Sequence, residues 1–191
     1  MIDKIRSFVA IEIPEDVRQR LRELLRGLKS TGADVKWVRP EAIHLTLKFL
    51  GDVDREAVEI LSLSLGPVVE KFAPFELKAQ GIGGFPSFRN PRVVWAGLIE
   101  TGGVLSALQR QIETTTAGLG FPSEERPFKP HLTLGRVRSS EGKSALTRTL
   151  EAKATLDLGA FRTERVILFR SDLRPEGAVY TRIEEFGLKG F

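Results

Sequence analysis

His44-Leu45-Thr46-Leu47 and His131-Leu132-Thr133-Leu134 are the same four residues met twice in one chain, and they contain both of its histidines. Given the first copy, finding Leu, Thr and Leu after the second histidine has odds of about one in two thousand at ordinary residue frequencies. The repeat needs a common cause, and a β-strand supplies one. Alternate side chains of a strand share a face, so His44 lies beside Thr46 and His131 beside Thr133, while the leucines point the other way, into a core. Residues two apart sit about 6.6 Å apart along a strand, a spacing that lets an imidazole and a hydroxyl reach different atoms of one phosphate-sized group. Each copy reads as half of a polar site.

Outward from each copy the same order of elements recurs. Residues 7–13 (SFVAIEI) form a short apolar strand stopped by Pro14. Residues 16–29 place Val17, Leu21, Leu24, Leu25 and Leu28 at helical spacing, with Gly32 just beyond. Residues 35–40 lead into the first motif strand, 43–50, which Gly51 closes. Asp54 offers an N-cap to a second helix ending at Glu70 or Phe72, which Gly66-Pro67 threatens to break or kink. Residues 75–82 read as a strand and 83–91 (GGFPSFRNP) as the crossing to the second half. There, 92–99 is a strand, 104–119 a helix ended by Gly120, and Pro130 delivers the chain into the second motif strand. A short helix over 146–152 and strands over 155–161, 164–171 and 179–186 complete the chain.

Helices among strands with short connections predict an α+β class with mostly antiparallel sheet and flanking helices. The repeat predicts two pseudo-symmetric lobes in a single bilobal domain, 1–191. Lobe one spans approximately 1–85 and lobe two approximately 86–191, and a pseudo-twofold axis sets the two motif faces opposite each other across a central cleft.

The 191 residues, 41% hydrophobic and 28% charged, suffice for one substantial two-lobed core. A net charge of +4 favours an anionic partner such as nucleic acid. The chain has no cysteine, which excludes disulfides, zinc-thiolate sites and thiol nucleophiles. No run of eighteen apolar residues occurs, so the expectation is a soluble cytoplasmic protein that does not use a membrane, and no obligate protein partner is evident.

Three readings of the histidines are open. Each can be a hydrogen-bonded core residue, although a core histidine has no reason to be followed twice by a threonine on the same face. The pair can ligate a metal, but neither strand face carries Asp, Glu or Cys to complete a ligand set, so no metal is expected. The third reading is acid and base catalysis. An unperturbed pKa of roughly 6.5 lets one imidazole be protonated while the other is free, which suits in-line displacement at phosphorus. One takes a proton from water, the other gives one to the leaving oxygen, and the threonine hydroxyls with a nearby cation hold the phosphoryl oxygens.

The two His-x-Thr-x strands, Phe8-Val9-Ala10-Ile11, the strand Arg92-Val93-Val94-Trp95-Ala96-Gly97 and Lys129-Pro130-His131-Leu132-Thr133-Leu134-Gly135-Arg136 together resemble the 2H phosphoesterase superfamily. The nearest branch is the RNA 2',3'-cyclic phosphodiesterases, also called 2'-5' RNA ligases, and the similarity spans nearly the whole chain. The resemblance implies a bilobal α+β fold and metal-free hydrolysis of an RNA or nucleotide 2',3'-cyclic phosphate to a 2'-phosphate, with no cofactor. The reverse 2'-5' ligation uses the same site. It also implies that His44 is the proton donor and His131 the proton acceptor, and that Thr46, Thr133 and Arg136 bind phosphate. The alternative is a binding module that holds RNA or a nucleotide in the same cleft without turnover.

Arg136 stands five residues from His131, an offset that a regular strand sends to the opposite face, so its role requires Gly135 to supply a bulge. Otherwise it is a solvated surface arginine. Lys48, four residues from His44, falls on the face of His44 and is either the first half's cation or a plain surface lysine. Trp37, Phe85 and Phe88, with Arg89, Arg92, Arg126 and Lys129, are candidates for a rim where bases stack and phosphates pair. Packing is the competing role for the aromatics.

Overall fold

Pro14 closes β1 (Lys4–Glu12) and occupies the N-cap position of α1 (Glu15–Lys29), so one residue ends a strand and opens a helix in the computed structural model, which describes residues 4–175 and 177–191. The five apolar residues read at helical spacing in α1 are all buried. Glu15 and Asp16 in its first turn and Arg26 and Lys29 in its last suit the helix dipole. The chain continues through β2 (Val35–Trp37), a 3-10 turn (Pro40–Ala42), β3 (His44–Asp54), α2 (Arg55–Val69), β4 (Phe75–Phe85), β5 (Val93–Ile99) and α3 (Val104–Gly118). It ends with β6 (His131–Val137), α4 (Lys143–Ala152), β7 (Asp157–Thr163), β8 (Arg165–Arg174) and β9 (Gly177–Gly187).

Several boundaries differ from the sequence expectation for identifiable reasons. Gly51 does not close β3. It takes a left-handed φ of 75° and, with Leu50 unpaired between Phe49 and Gly51, makes a bulge inside a longer strand. Pro67 does not break α2: the N–H it lacks would have bonded the carbonyl of Leu63, whose side chain is exposed, so the interruption falls on the solvent side. Gly83, Gly84 and Phe85, expected in the crossing, extend β4 and pair with β5.

Among the described residues nine strands form one curled antiparallel sheet in the order β7-β4-β5-β6-β3-β1-β8-β9, with β2 paired to β6. The expected lobes followed the chain, 1–85 and 86–191. The sheet does not. β4, from the first half, lies between β5 and β7, while β8 and β9, from the C-terminus, continue the sheet beyond β1. Outward from the β3–β6 seam, each side therefore runs motif strand, opening strand of its half, then further strands.

All four helices bury their apolar faces against one side of the sheet, in a core that includes Leu21, Leu45, Leu61, Leu108, Leu132 and Leu150. The other side is concave. Toward β8 it carries a second, smaller apolar group of Phe8, Ala10, Ile167 and Phe169, with Tyr180 packed against it. Among the described residues no helix is long and apolar enough to cross a membrane.

Candidate active site

Both motif strands carry the same interruption, and it decides which side chains enter the cleft. Ala10 pairs with Thr46 and Val9 with Lys48, so Leu47 is an extra residue on β3. Trp95 pairs with Thr133 and Val94 with Gly135, so Leu134 is extra on β6. Each is a β-bulge, which breaks the alternation of faces. Leu47 and Lys48 are consequently both buried, as are Leu134 and Gly135, and Phe49 and Arg136 emerge exposed. The bulge required at Gly135 is thus present, and it returns Arg136 to the face of His131 and Thr133. Gly135 is needed there because a Cβ would lie 2.6 Å from Val35 Cγ1 and 2.8 Å from the Trp37 ring.

The same device overturns the expectation for Lys48. The bulge at Leu47 turns it toward the helices, where it is 4% exposed, with its Nζ 2.5 Å from Glu113 Oε1 on α3 and 2.5 Å from the Pro122 carbonyl. Lys48 is a buried ion-pair residue rather than a rim residue or a surface lysine.

At the seam Leu45 and Leu132 are antiparallel partners. His44 and Thr46 flank Leu45, and His131 and Thr133 flank Leu132, so both motifs bring their polar residues to this seam. Each histidine is oriented in the same way. Its Nδ1–H donates to the carbonyl two residues earlier, His44 to Ala42 at 2.9 Å and His131 to Lys129 at 2.7 Å. A carbonyl only accepts, so the neutral ring carries its proton on Nδ1 and leaves Nε2 free. The 3-10 turn begun by Pro40 places the Ala42 carbonyl, and Pro130 precedes His131.

The two imidazoles differ in surroundings. His44 stacks on Phe8 with centroids 4.6 Å apart and meets Tyr180 edge-on at 5.1 Å. This burial pulls its pKa down to about 4, only partly opposed by the Ala42 carbonyl. His131 meets Phe85 edge-on at 5.2 Å, and Lys129 Nζ lies 5.9 Å from the centre of the Phe85 ring. A cavity of about 70 Å³ opens beside His44 between Glu12, Ile43, Phe169 and Tyr180. A larger one of about 240 Å³, between the end of β1 and the β7–β8 turn, contains neither histidine. Among the described residues no three His, Asp or Glu side chains are grouped to hold a metal ion.

Of the candidate rim, the structure brings Phe85 and Lys129 to His131. Trp37 and Phe88 pack against the main core, because β2 lays Trp37 over Gly135 and Phe88 sits where its carbonyl accepts from Thr147 of α4. Both are half-buried, with one part of each ring against the core. Arg89, Arg92 and Arg126 are exposed, and among the described residues no hydrogen bond, ion pair or ring contact ties their side chains to the histidines. Sequence reasoning passed over Arg6, Arg39 and Tyr180. Burial pushes the Tyr180 phenol up, opposed by the charges of Arg6, Arg136 and Arg39. Tyr180 is the chain's one tyrosine, which was the available signal.

The chain is similar to known proteins over nearly its full length. It is 36% identical to a protein of Methanothermobacter thermautotrophicus named RNA 2',3'-cyclic phosphodiesterase, covering 97% of this chain and 100% of the relative. A crystal structure from Thermus thermophilus superposes with a TM-score of 0.80 at 32% identity, covering 97% of this chain and 99% of that one. The crystal structure of E. coli LigT complexed with 3'-AMP gives a TM-score of 0.78 at 25% identity over 97% and 99% of the two chains. The profile of the LigT-like phosphoesterases matches residues 11–95 and 99–180, one segment around each histidine motif, and the chain belongs to that family.

Proposed function

We propose that this chain hydrolyses the 2',3'-cyclic phosphate of an RNA or nucleotide end to a 2'-phosphate, using its two histidines and no metal. The observation that carries the proposal is the pair of identically tethered imidazoles on adjacent strands, each held through Nδ1 with Nε2 left to react. His131 takes a proton from water as the water oxygen attacks phosphorus. The bond from phosphorus to the 3'-oxygen breaks, and His44 gives its proton to that oxygen. Thr46 and Thr133 donate to the phosphoryl oxygens, and Arg136 supplies the charge that meets the oxyanion. With a 5'-hydroxyl in place of water as the nucleophile, the same displacement breaks the bond from phosphorus to the 3'-oxygen and joins a 2'-5' linkage.

Burial alone keeps His44 neutral at pH 7, whereas a donor must be charged. A cyclic phosphate anion against Nε2 works in the opposite direction, since a nearby opposite charge favours the imidazolium. Substrate binding thus shifts His44 toward its charged form. Incubation with a nucleoside 2',3'-cyclic phosphate, read by phosphorus NMR, should yield the 2'-phosphate, with the rate unaltered by a chelator. Binding without ring opening would favour a binding module, mainly 3'-phosphate would reverse the leaving group, and rescue of a chelated enzyme by a divalent ion would refute the metal-free mechanism.

A further inference from the structure

Arg6 makes no ion pair among the described residues. Asp52 is its cross-strand neighbour, yet the guanidinium lies over the ring of Phe49, with Cζ 4.6 Å from the centroid. Phe49 occupies in the first motif strand the position that Arg136 occupies in the second: five residues past the histidine and brought out by the bulge. Arg6 therefore gives this side of the concave face the charge that its motif strand lacks. Arg39 arrives from the connection between β2 and β3, where its Nη2–H donates to the Ala178 carbonyl at 3.1 Å, two residues before Tyr180 on β9. The Tyr180 hydroxyl has no hydrogen bond among the described residues, and its ring is part of the wall around His44. Both arginines act electrostatically on that phenol.

We infer that Arg6, Arg39 and the Tyr180 hydroxyl form a second anion subsite, which takes the phosphodiester joining the cyclic-phosphate nucleotide to the rest of an RNA strand. The inference rests on the proposed cyclic-phosphate hydrolysis and adds that the substrate is an oligonucleotide rather than a mononucleotide. Two guanidinium forks and a hydroxyl are donors suited to a phosphodiester oxygen pair. The spacing fits as well. Thr46 pairs with Ala10, four residues from Arg6 along β1, about 13 Å at strand rise. Phe49, over whose ring the guanidinium lies, pairs with Phe8, two residues from Ala10 and so about 7 Å along the strand from the Thr46 pair.

The test compares a nucleoside 2',3'-cyclic phosphate, a dinucleotide ending in the same cyclic phosphate, and that dinucleotide with a neutral methylphosphonate linkage. The expected kcat/KM for the charged dinucleotide exceeds that for the other two by about tenfold, the scale of one charged hydrogen-bonded contact. Arg6→Gln or Arg39→Gln should collapse this ratio and reduce the slope of log affinity against log salt by about 0.7, one phosphate contact on a single strand. Equal rates for the phosphodiester and methylphosphonate dinucleotides, or a ratio that survives both substitutions in folded protein, would overturn the subsite. Affinity for the two dinucleotides, measured by calorimetry, reads the subsite even if no ring opens. Failure of the hydrolysis proposal and failure of this one are thereby separable.

Discussion

Leu45 and Leu132, 1% and 0% exposed, are antiparallel partners at the seam of the sheet, and His44 and His131 are disposed about that pair. The two imidazoles are therefore parts of one device. His44→Ala and His131→Ala should each lower single-turnover hydrolysis by about 10² to 10⁴-fold. The double variant should lose less than the product of the singles, because both proton transfers serve one displacement. The dependence of rate on pH should be bell-shaped, with apparent pKa values that belong to the pair. A single variant that keeps near-full activity would end the two-histidine mechanism.

The depressed pKa of His44 has a stability consequence whose sign follows directly. Between the folded value of about 4 and the ordinary value of about 6.5, the unfolded chain binds the proton and the folded chain does not. Stability from this group is complete above pH 6.5 and is lost as pH falls toward 4, by an amount of order 2 to 3 kcal/mol. His44→Phe, which keeps the stack on Phe8, should flatten that part of the profile. Denaturant titrations at pH 7 and pH 4.5 measure it, and identical pH dependence in the two proteins would show that His44 is not so buried.

Lys48 should behave as a core residue. Lys48→Ala removes a buried side chain and the cation of the half-buried Glu113, which keeps the Glu124 N–H, and should cost about 2 kcal/mol in thermal or denaturant unfolding. The folded fraction should bind the cyclic phosphate with its affinity intact. Weakened binding without lost stability would return Lys48 to the cleft.

Arg136→Lys should reduce kcat/KM by about tenfold or more, since an ammonium cannot reproduce the fork that meets two phosphoryl oxygens. Gly135→Val should do the same by another route, because its side chain meets Val35 and Trp37 and opposes the bulge that aims Arg136. Unchanged kinetics in either variant would assign Arg136 to the solvent.

Element types were legible in the sequence because hydrophobic period and turn residues are local. α1 appears where its leucines recur at helical spacing, and both motif strands begin at their histidines. The tethering of Nδ1 was not legible, since the Ala42 and Lys129 carbonyls have no sequence signature. Lys48 was misplaced because strict alternation holds only in a regular strand. The signal that suggested a bulge after His131, a glycine, is replaced after His44 by the lysine itself. Arg6, Arg39 and Tyr180 come from β1, a connection and β9, and only the sheet order brings these segments together. The long-range pairing of β4 with β5 and of β8 with β1, which crosses the 85/86 division, has no local signal in the sequence.

That exchange of strands works as a clasp. Cutting the chain between residues 85 and 86 would strip β8 and β9 from β1 on one side and β4 from between β5 and β7 on the other, leaving raw sheet edges on both fragments. Neither fragment is then a self-sufficient half-enzyme, yet each carries the strand that the other lacks. Two separately produced fragments, inert alone, have in their mutual edges the means to recombine into a working pair of histidines.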